Sequence, residues 1–273
     1  IFVPIFLYDL SGELFWVVGL YYLVLSLFYV LLLVPGMKVT NALGFSRTLI
    51  LGGVCSIILY TIMFFMDAAN IWILIGPLAI AVIAFRIFHW VPYHVDFTLF
   101  TRDGERGRQV SLSFATIAFM GVIGPILAGY IVSNSGYEAL FGIAILLLIV
   151  ATISYAFVPE TKAHFDWSFK ETLEKLFSKK LRGVVVGEFA DGAEVIITLV
   201  VWPIFLYEIL DGDIFSIGAL STVIVGATII VQLFVGQYID RGKDKKEKTL
   251  QVGSTLYALG WIFKIFVLSA AQV

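Results

Sequence analysis

Mostly apolar runs of about twenty residues or more recur along this chain, at about 13–35, 48–67, 71–100, 110–133, 137–158, 184–208, 213–236 and 249–270. Runs of that length match the hydrocarbon core of a bilayer, where only a helix or a closed barrel satisfies its own backbone. Barrel strands would be about ten residues long and alternate in polarity, which these runs do not. The residues are 60% hydrophobic and 14% charged, against about 45–50% and about 25% in soluble domains. An all-α integral membrane protein is expected, with the lipid bilayer as its solvent and no nucleic-acid partner. The opening "IFVPIFLY" reads as the tail of a further helix, and no signal peptide is recognisable. The chain therefore reads as a fragment, cut at both ends.

Charge placement supplies the topology. Lys38 and Arg47 lie near 36–47, and Arg102, Arg106 and Arg108 in "TRDGERGRQ". Lys162, Lys170, Lys175, Lys179, Lys180 and Arg182 follow the sixth helix, and Arg241, Lys243, Lys245, Lys246 and Lys248 occupy "DRGKDKKEK". Together these are 16 of the 18 basic residues, and all fall in alternate loops. The intervening loops carry acids (Asp9, Glu13, Asp67, Glu138, Glu208, Asp211, Asp213) and no Lys or Arg. The positive-inside rule makes the basic loops cytoplasmic. Within the longest of them, Ser168 and Glu171 form a capping-box pattern, and Phe169, Leu173, Leu176 and Phe177 recur on one helical face. This predicts an amphipathic linker helix lying on the membrane surface.

An internal repeat divides the chain. "PIFLYD" at 4–9 returns as "PIFLYE" at 203–208, an offset of 199 residues. At that offset Gly19 meets Gly218 and Val24 meets Val223, and with one residue of slippage Gly36 meets Gly236. The number of helices between the copies is even, so the repeats share one orientation and are parallel. The expected organisation is an N-terminal transmembrane half over 1–158, a cytoplasmic linker over 159–183 and the start of a second half over 184–273.

Three local patterns now resemble the major facilitator superfamily of secondary transporters. "GQYIDRGKDKK" resembles that family's loop after the second helix of each half, through Gly236, Asp240 and Arg241, with Gly242 one residue early. The first copy, "GMKVTNALGFSR", keeps Gly36, Gly44 and Arg47 but places Thr40 and Asn41 where Asp-Arg belongs. "GVIGPILAG" resembles the fifth-helix Gly-Pro motif through Gly121, Gly124, Pro125 and Gly129, and "DGERGR" the charged loop before it. The resemblance covers the whole chain and implies a major-facilitator-type helical bundle of two parallel-repeat halves. It also implies that most of helix one and all of helices ten to twelve are missing. By resemblance Gly236, Asp240 and Arg241 form a cytoplasmic conformational switch, and the Gly-Pro motif belongs to a helix-packing hairpin.

Ionisable groups inside a membrane are costly and mark functional sites. Arg86, His89, Tyr93 and Asp96 lie within about 80° of one another on the fourth helix, one polar stripe. The resemblance adds that this helix lines the central cavity. The competing reading pairs Arg86 structurally with a neighbouring acid. Glu188, Asp191 and Glu194 spread over about 120° of the seventh helix, with Asp191 and Glu194 the deeper pair. These two are candidates for proton exchange or for pairing with Arg86. Trp16, Tyr21, Tyr22, Trp202 and Tyr207 read as interfacial belt, with tyrosines also able to line a cavity.

No metal site is expected from three scattered histidines and the single Cys55, and no cofactor is implied beyond a coupled proton. The expected function is secondary transport of a small solute by alternating access, in a monomer of the cell membrane. The alternatives are an uncoupled facilitator and a transporter-like sensor. An enzyme is not expected, because Cys55 lies in a peripheral helix with no evident partner, and His89 and His94 are five apart with only Asp96 nearby. Arg86 leans toward an anionic or carboxylate-bearing solute.

Overall fold

The computed structural model describes residues 1–100, 106–161, 163–239, 243–264 and 266–267, and every regular element among them is a helix. Among the described residues, five helices are long and apolar enough to cross a membrane: Phe15–Leu43, Phe45–Phe64, Ile71–Leu99, Leu112–Tyr155 and Ile214–Gln232. In chain order the helices are α1 (Phe2–Leu10), α2 (Phe15–Leu43), α3 (Phe45–Phe64), α4 (Ile71–Phe85), α5 (Val91–Phe100), α6 (Arg106–Tyr155), α7 (Phe169–Leu176), α8 (Arg182–Ile196), α9 (Trp202–Ile209), α10 (Ile214–Ile239) and α11 (Lys243–Lys264). The described chain forms two compact units, one of Ile1–Gln109 with Ser135–Trp202, the other of Val110–Asn134 with Pro203–Val273.

Several boundaries depart from expectation. The loop placed over 36–47 shrinks to one residue, because α2 stays helical through Leu43 and α3 begins at Phe45. Polarity alone suggested the loop, yet α2 carries on past Pro35 and Gly36, and Gly44 is what breaks it. Gly44 does so with φ +90°, a conformation that costs a side-chain-bearing residue dearly. Gly136 (φ +78°) likewise is the single non-helical residue inside α6, separating the two spans expected over 110–133 and 137–158. The last expected helix begins earlier than 249, at Lys243.

Two helical spans contain a widened, π-type turn, at Arg86–Trp90 between α4 and α5 and at Ile197–Val201 between α8 and α9. Each turn ends two residues before a proline, Pro92 or Pro203. A proline ring collides with the carbonyl four residues back and donates no N–H, so a widened turn gives it room.

The repeat is visible in backbone detail. After α1, Glu13 N–H donates to Tyr8 O at 2.9 Å; after α9, Gly212 N–H donates to Tyr207 O at 2.9 Å. Ser11 N–H to Leu7 O and Leu210 N–H to Leu206 O form a second matched pair, both at 3.0 Å. Each turn carries two consecutive positive-φ residues, Gly12 and Glu13 in one copy and Asp211 and Gly212 in the other. The following helices start at Phe15 and Ile214. Every one of these correspondences keeps the 199-residue offset.

Only the second copy is capped by a side chain. The Asp213 carboxylate accepts from Ser216 Oγ (2.5 Å) and from the N–H groups of Phe215 and Ser216 (3.1 and 3.2 Å). These bonds, led by the Ser216 hydroxyl, hold its carboxyl below the ordinary carboxylate value. Its contribution is therefore complete above the ordinary value and is lost as pH falls through the depressed one. Asp213→Ala should cost about 1 kcal/mol. In thermal melts the gap from wild type should be widest near neutral pH and close in acid.

In the first unit Ile5, Leu7, Val18, Leu25, Met63, Ile71, Leu78 and Phe141 are fully buried. Gly52 permits a close backbone approach, since a Cβ there would lie 2.8 Å from both His89 N and Phe88 C, so α3 packs backbone to backbone against the first widened turn.

In the second unit α6 and α10 cross closely at the Gly-Pro motif. A Cβ on Gly129 would sit 2.9 Å from Ile214 O and 3.3 Å from Gly218 Cα, and one on Gly218 would collide with Pro125 O. Thr222 spans the helix at the proline: Ile126 N–H donates to its Oγ1 (3.2 Å), and the hydroxyl donates to Val122 O (2.7 Å). Backbone groups loosened by an intramembrane proline are satisfied here by a neighbouring helix. Thr222→Val keeps the shape and removes both bonds. We expect a loss of about 1–2 kcal/mol, read as a lower midpoint of thermal unfolding, with Thr222→Ser restoring most of it.

Within the linker, the capping box forms as expected. Ser168 Oγ accepts from Glu171 N–H (3.2 Å), while the Glu171 carboxylate accepts from Ser168 N–H (2.7 Å) and Oγ (2.8 Å). These bonds, the Ser168 backbone N–H first, hold the Glu171 carboxyl below its ordinary value. Phe169, Leu173, Leu176 and Phe177 are all exposed, and Lys175 Nζ lies 3.4 Å from the centre of the Trp167 ring.

Candidate functional site

The widened turn at Arg86 changes the phase of the fourth helix. An α-helix advances about 100° per residue, but a π-type turn advances less. Residues before and after it therefore look toward different neighbours. Arg86, half-buried within the span Ile71–Leu99, bears electrostatically on the phenols of Tyr21, Tyr22 and Tyr29 on α2. His89 instead stacks between Phe85 and Tyr93, with Tyr155 of α6 also in ring contact. Its Nδ1 is buried and has no hydrogen-bond partner among the described residues.

Asp96 is the most enclosed of the four, at 4% exposure. Neither of its carboxylate oxygens finds a hydrogen-bond partner among the described residues, and Glu160 lies within electrostatic range. The stripe thus resolves into Arg86 with the tyrosines of α2, and His89, Tyr93 and Asp96 among residues of α6 and the segment that follows it.

On the seventh helix, Glu188 and Asp191 are exposed and Glu194 is half-buried. Glu194 accepts a 2.5 Å hydrogen bond from the Thr198 hydroxyl, which belongs to the second widened turn. That turn and α2 enclose a cavity of about 340 Å³ lined by Phe15, Gly19, Tyr22, Ser26, Val200 and Val201 among others. Tyr22 connects the two features, since it lines the cavity and feels the Arg86 charge. Ser26 Oγ donates to Tyr22 O at 2.9 Å, so the hydroxyl is held on that wall.

A larger cavity of about 690 Å³ lies between α2 and α4, lined by Val24, Phe28, Leu32, Ile80, Ile83 and Ile87 with other apolar residues. It offers no charged or hydroxyl side chain to orient a polar solute. The smaller, Tyr22-lined cavity is the better candidate on chemistry, although it has half the volume.

Sequence reasoning assigned Tyr21 and Tyr22 mainly to the interfacial belt and gave no role to Tyr29, Ser26 or Thr198. The signal was present. Tyr22 and Ser26 are four apart on one helical face, and Pro92 and Pro203 each follow a widened turn. Asp240 and Arg241, the expected switch pair, lie outside the described residues, and Gly236 falls within α10. Gly129 and Pro125 take part in the close crossing on α10, whereas Gly124 meets nothing within 4 Å.

The sequence model of the Major Facilitator Superfamily matches residues 1–272. The chain belongs to that family, and it is accordingly a membrane transport protein with an all-helical bundle fold. No curated relative matches the chain.

Proposed function

We propose that the chain is a secondary active transporter that moves a small solute by alternating access. The solute carries a carboxylate or another anionic group, and movement is coupled to protons through an acid of the seventh helix, Glu194 or Asp191. The observation that carries this reading is Arg86. It is a half-buried cation inside a membrane span, within electrostatic range of three phenols, one of which lines a cavity shared with the seventh helix.

A cation at that depth is expensive unless it has a use. Guanidinium with tyrosine hydroxyls suits an anionic oxygen, because both supply donors. Glu194 sits beside the widened turn that walls the same cavity. A carboxylate whose surroundings change between conformers changes its proton affinity with them, which is what coupling requires.

The matched turns support parallel halves over 1–158 and 184–273, joined by the linker over 159–183. In this reading the linker and the basic loops are cytoplasmic, in a monomer of the cell membrane.

The test is uptake of carboxylate-bearing solutes by proteoliposomes, with and without a proton gradient. We expect accumulation driven by the gradient, and we expect Glu194→Gln to transport without that dependence. Unchanged proton dependence in Glu194→Gln would remove the coupling role. Uptake that never exceeds equilibration, gradient or not, would make the protein an uncoupled facilitator.

A further inference from the structure

Among the described residues of the first unit, a cluster of hydrogen bonds between sequence-distant residues lies where the segment after α6 meets the ends of α2 and α3 around Gly44. Asn41 donates from Nδ2 to Phe165 O at 2.7 Å, and Phe165 N–H donates to Asn41 Oδ1 at 3.0 Å. One side-chain amide thus satisfies both backbone groups of one residue, as a neighbouring strand would. Asn41 Nδ2 also lies 3.5 Å from His164 Nε2.

A second anchor lies a few residues earlier. Ser46 donates from Oγ to Val158 O at 2.9 Å and from its N–H to Glu160 Oε1 at 3.4 Å. Ser46 is the second residue of α3, where a carboxylate is favoured by the unpaired N–H groups and the helix dipole. Gly44 makes room for it: a Cβ there would lie 2.6 Å from Glu160 Oε1.

We propose that the segment after α6 is a strap fastened to the first half at Val158, Glu160 and Phe165, with the α2–α3 turn as its receptor and Asn41 as the main fastening. The linker that joins the halves then becomes free to bend only beyond Phe165. This placement of the bend rests on the alternating-access reading, whereas the strap itself does not.

The residue type matters at position 41. Asparagine supplies one donor face and one acceptor face; an aspartate supplies acceptors alone and would set a charge against the Phe165 carbonyl. Thr40, its neighbour, is fully buried and returns its hydroxyl to Gly36 O at 3.2 Å, so it leaves the strap to Asn41. The first-half loop departs from the family pattern at Asn41, the residue this arrangement uses, and at its buried neighbour Thr40.

Hydrogen–deuterium exchange of the full chain in detergent or lipid nanodiscs tests the strap without any transport assay. In wild type the Phe165 amide should exchange slowly for a residue in an extended, surface segment. Asn41→Ala should speed it about tenfold, the equivalent of one lost hydrogen bond, while peptides from α3 keep their protection. Glu160→Ala, read on the same peptide, should speed it severalfold and serves if Asn41→Ala does not fold. An unchanged Phe165 rate in both variants, or a fast rate already in wild type, overturns the strap. If the strap holds and solute uptake fails, only the placement of the bend is lost.

Discussion

Gly218→Ala is expected to destabilise the protein by about 1–3 kcal/mol, whereas Gly19→Ala, at the equivalent position of the other repeat, leaves it unchanged or stabilises it. The two glycines share one place in the repeat and differ in surroundings. A Cβ on Gly218 collides with the Pro125 carbonyl and comes within 3.2 Å of Gly129 Cα, and both are backbone that cannot rotate away. A Cβ on Gly19 meets nothing within 4 Å. At Gly19 the ordinary helix preference for alanine over glycine applies, a gain of up to about 1 kcal/mol. Thermal unfolding of the two variants in one detergent decides the matter. Equal shifts would mean that the close α6–α10 crossing does not set the packing of the second unit.

Arg86→Ala should lower transport efficiency about 10- to 100-fold while leaving the unfolding midpoint close to wild type. The magnitude is that of one charge-assisted hydrogen bond to a solute oxygen, about 1.5–3 kcal/mol. Arg86→Lys should recover only part of the rate, because an ammonium keeps the charge and loses the planar, two-pronged donor set. Initial uptake rates in proteoliposomes, with a solute found by a counterflow screen, give both numbers. If Arg86 instead serves packing, transport and stability fall together, and the lysine variant behaves like the alanine one.

Much of the architecture was legible in the residues alone. Apolar runs of spanning length and the alternation of basic with acidic loops announced a helical membrane bundle. The echo of "PIFLYD" in "PIFLYE" located a repeat whose turns share matched backbone hydrogen bonds and positive-φ residues. Ser168 and Glu171 specify a cap locally, and that cap forms where it was expected. What hydropathy could not see was decided by backbone geometry. The reversal at Gly44 takes one residue, and polarity at Lys38 and Asn41 had suggested a long loop. The stripe from Arg86 to Asp96 was drawn on an ideal helix, and the turn before Pro92 rotates its members apart.

Side-chain pairings across long sequence distances were equally hidden. Thr222 is one hydroxyl among many until it is placed over the break at Pro125. Asn41 read only as a departure from the family pattern, because nothing near it in sequence names Phe165 as a partner. A chain read residue by residue reveals helices and signs of charge; which polar groups meet depends on crossings set by small residues such as Gly52 and Gly218.

Alternating access through the Tyr22-lined cavity is the central claim, and chemical accessibility addresses it most directly. A single thiol is placed at Ser26→Cys in a Cys55→Ser background, and a membrane-impermeant maleimide is applied to oriented vesicles from either face. The account predicts reaction from both faces, with solute or a proton gradient shifting the balance between them. Labelling from one face alone under every condition, or from neither, would contradict it.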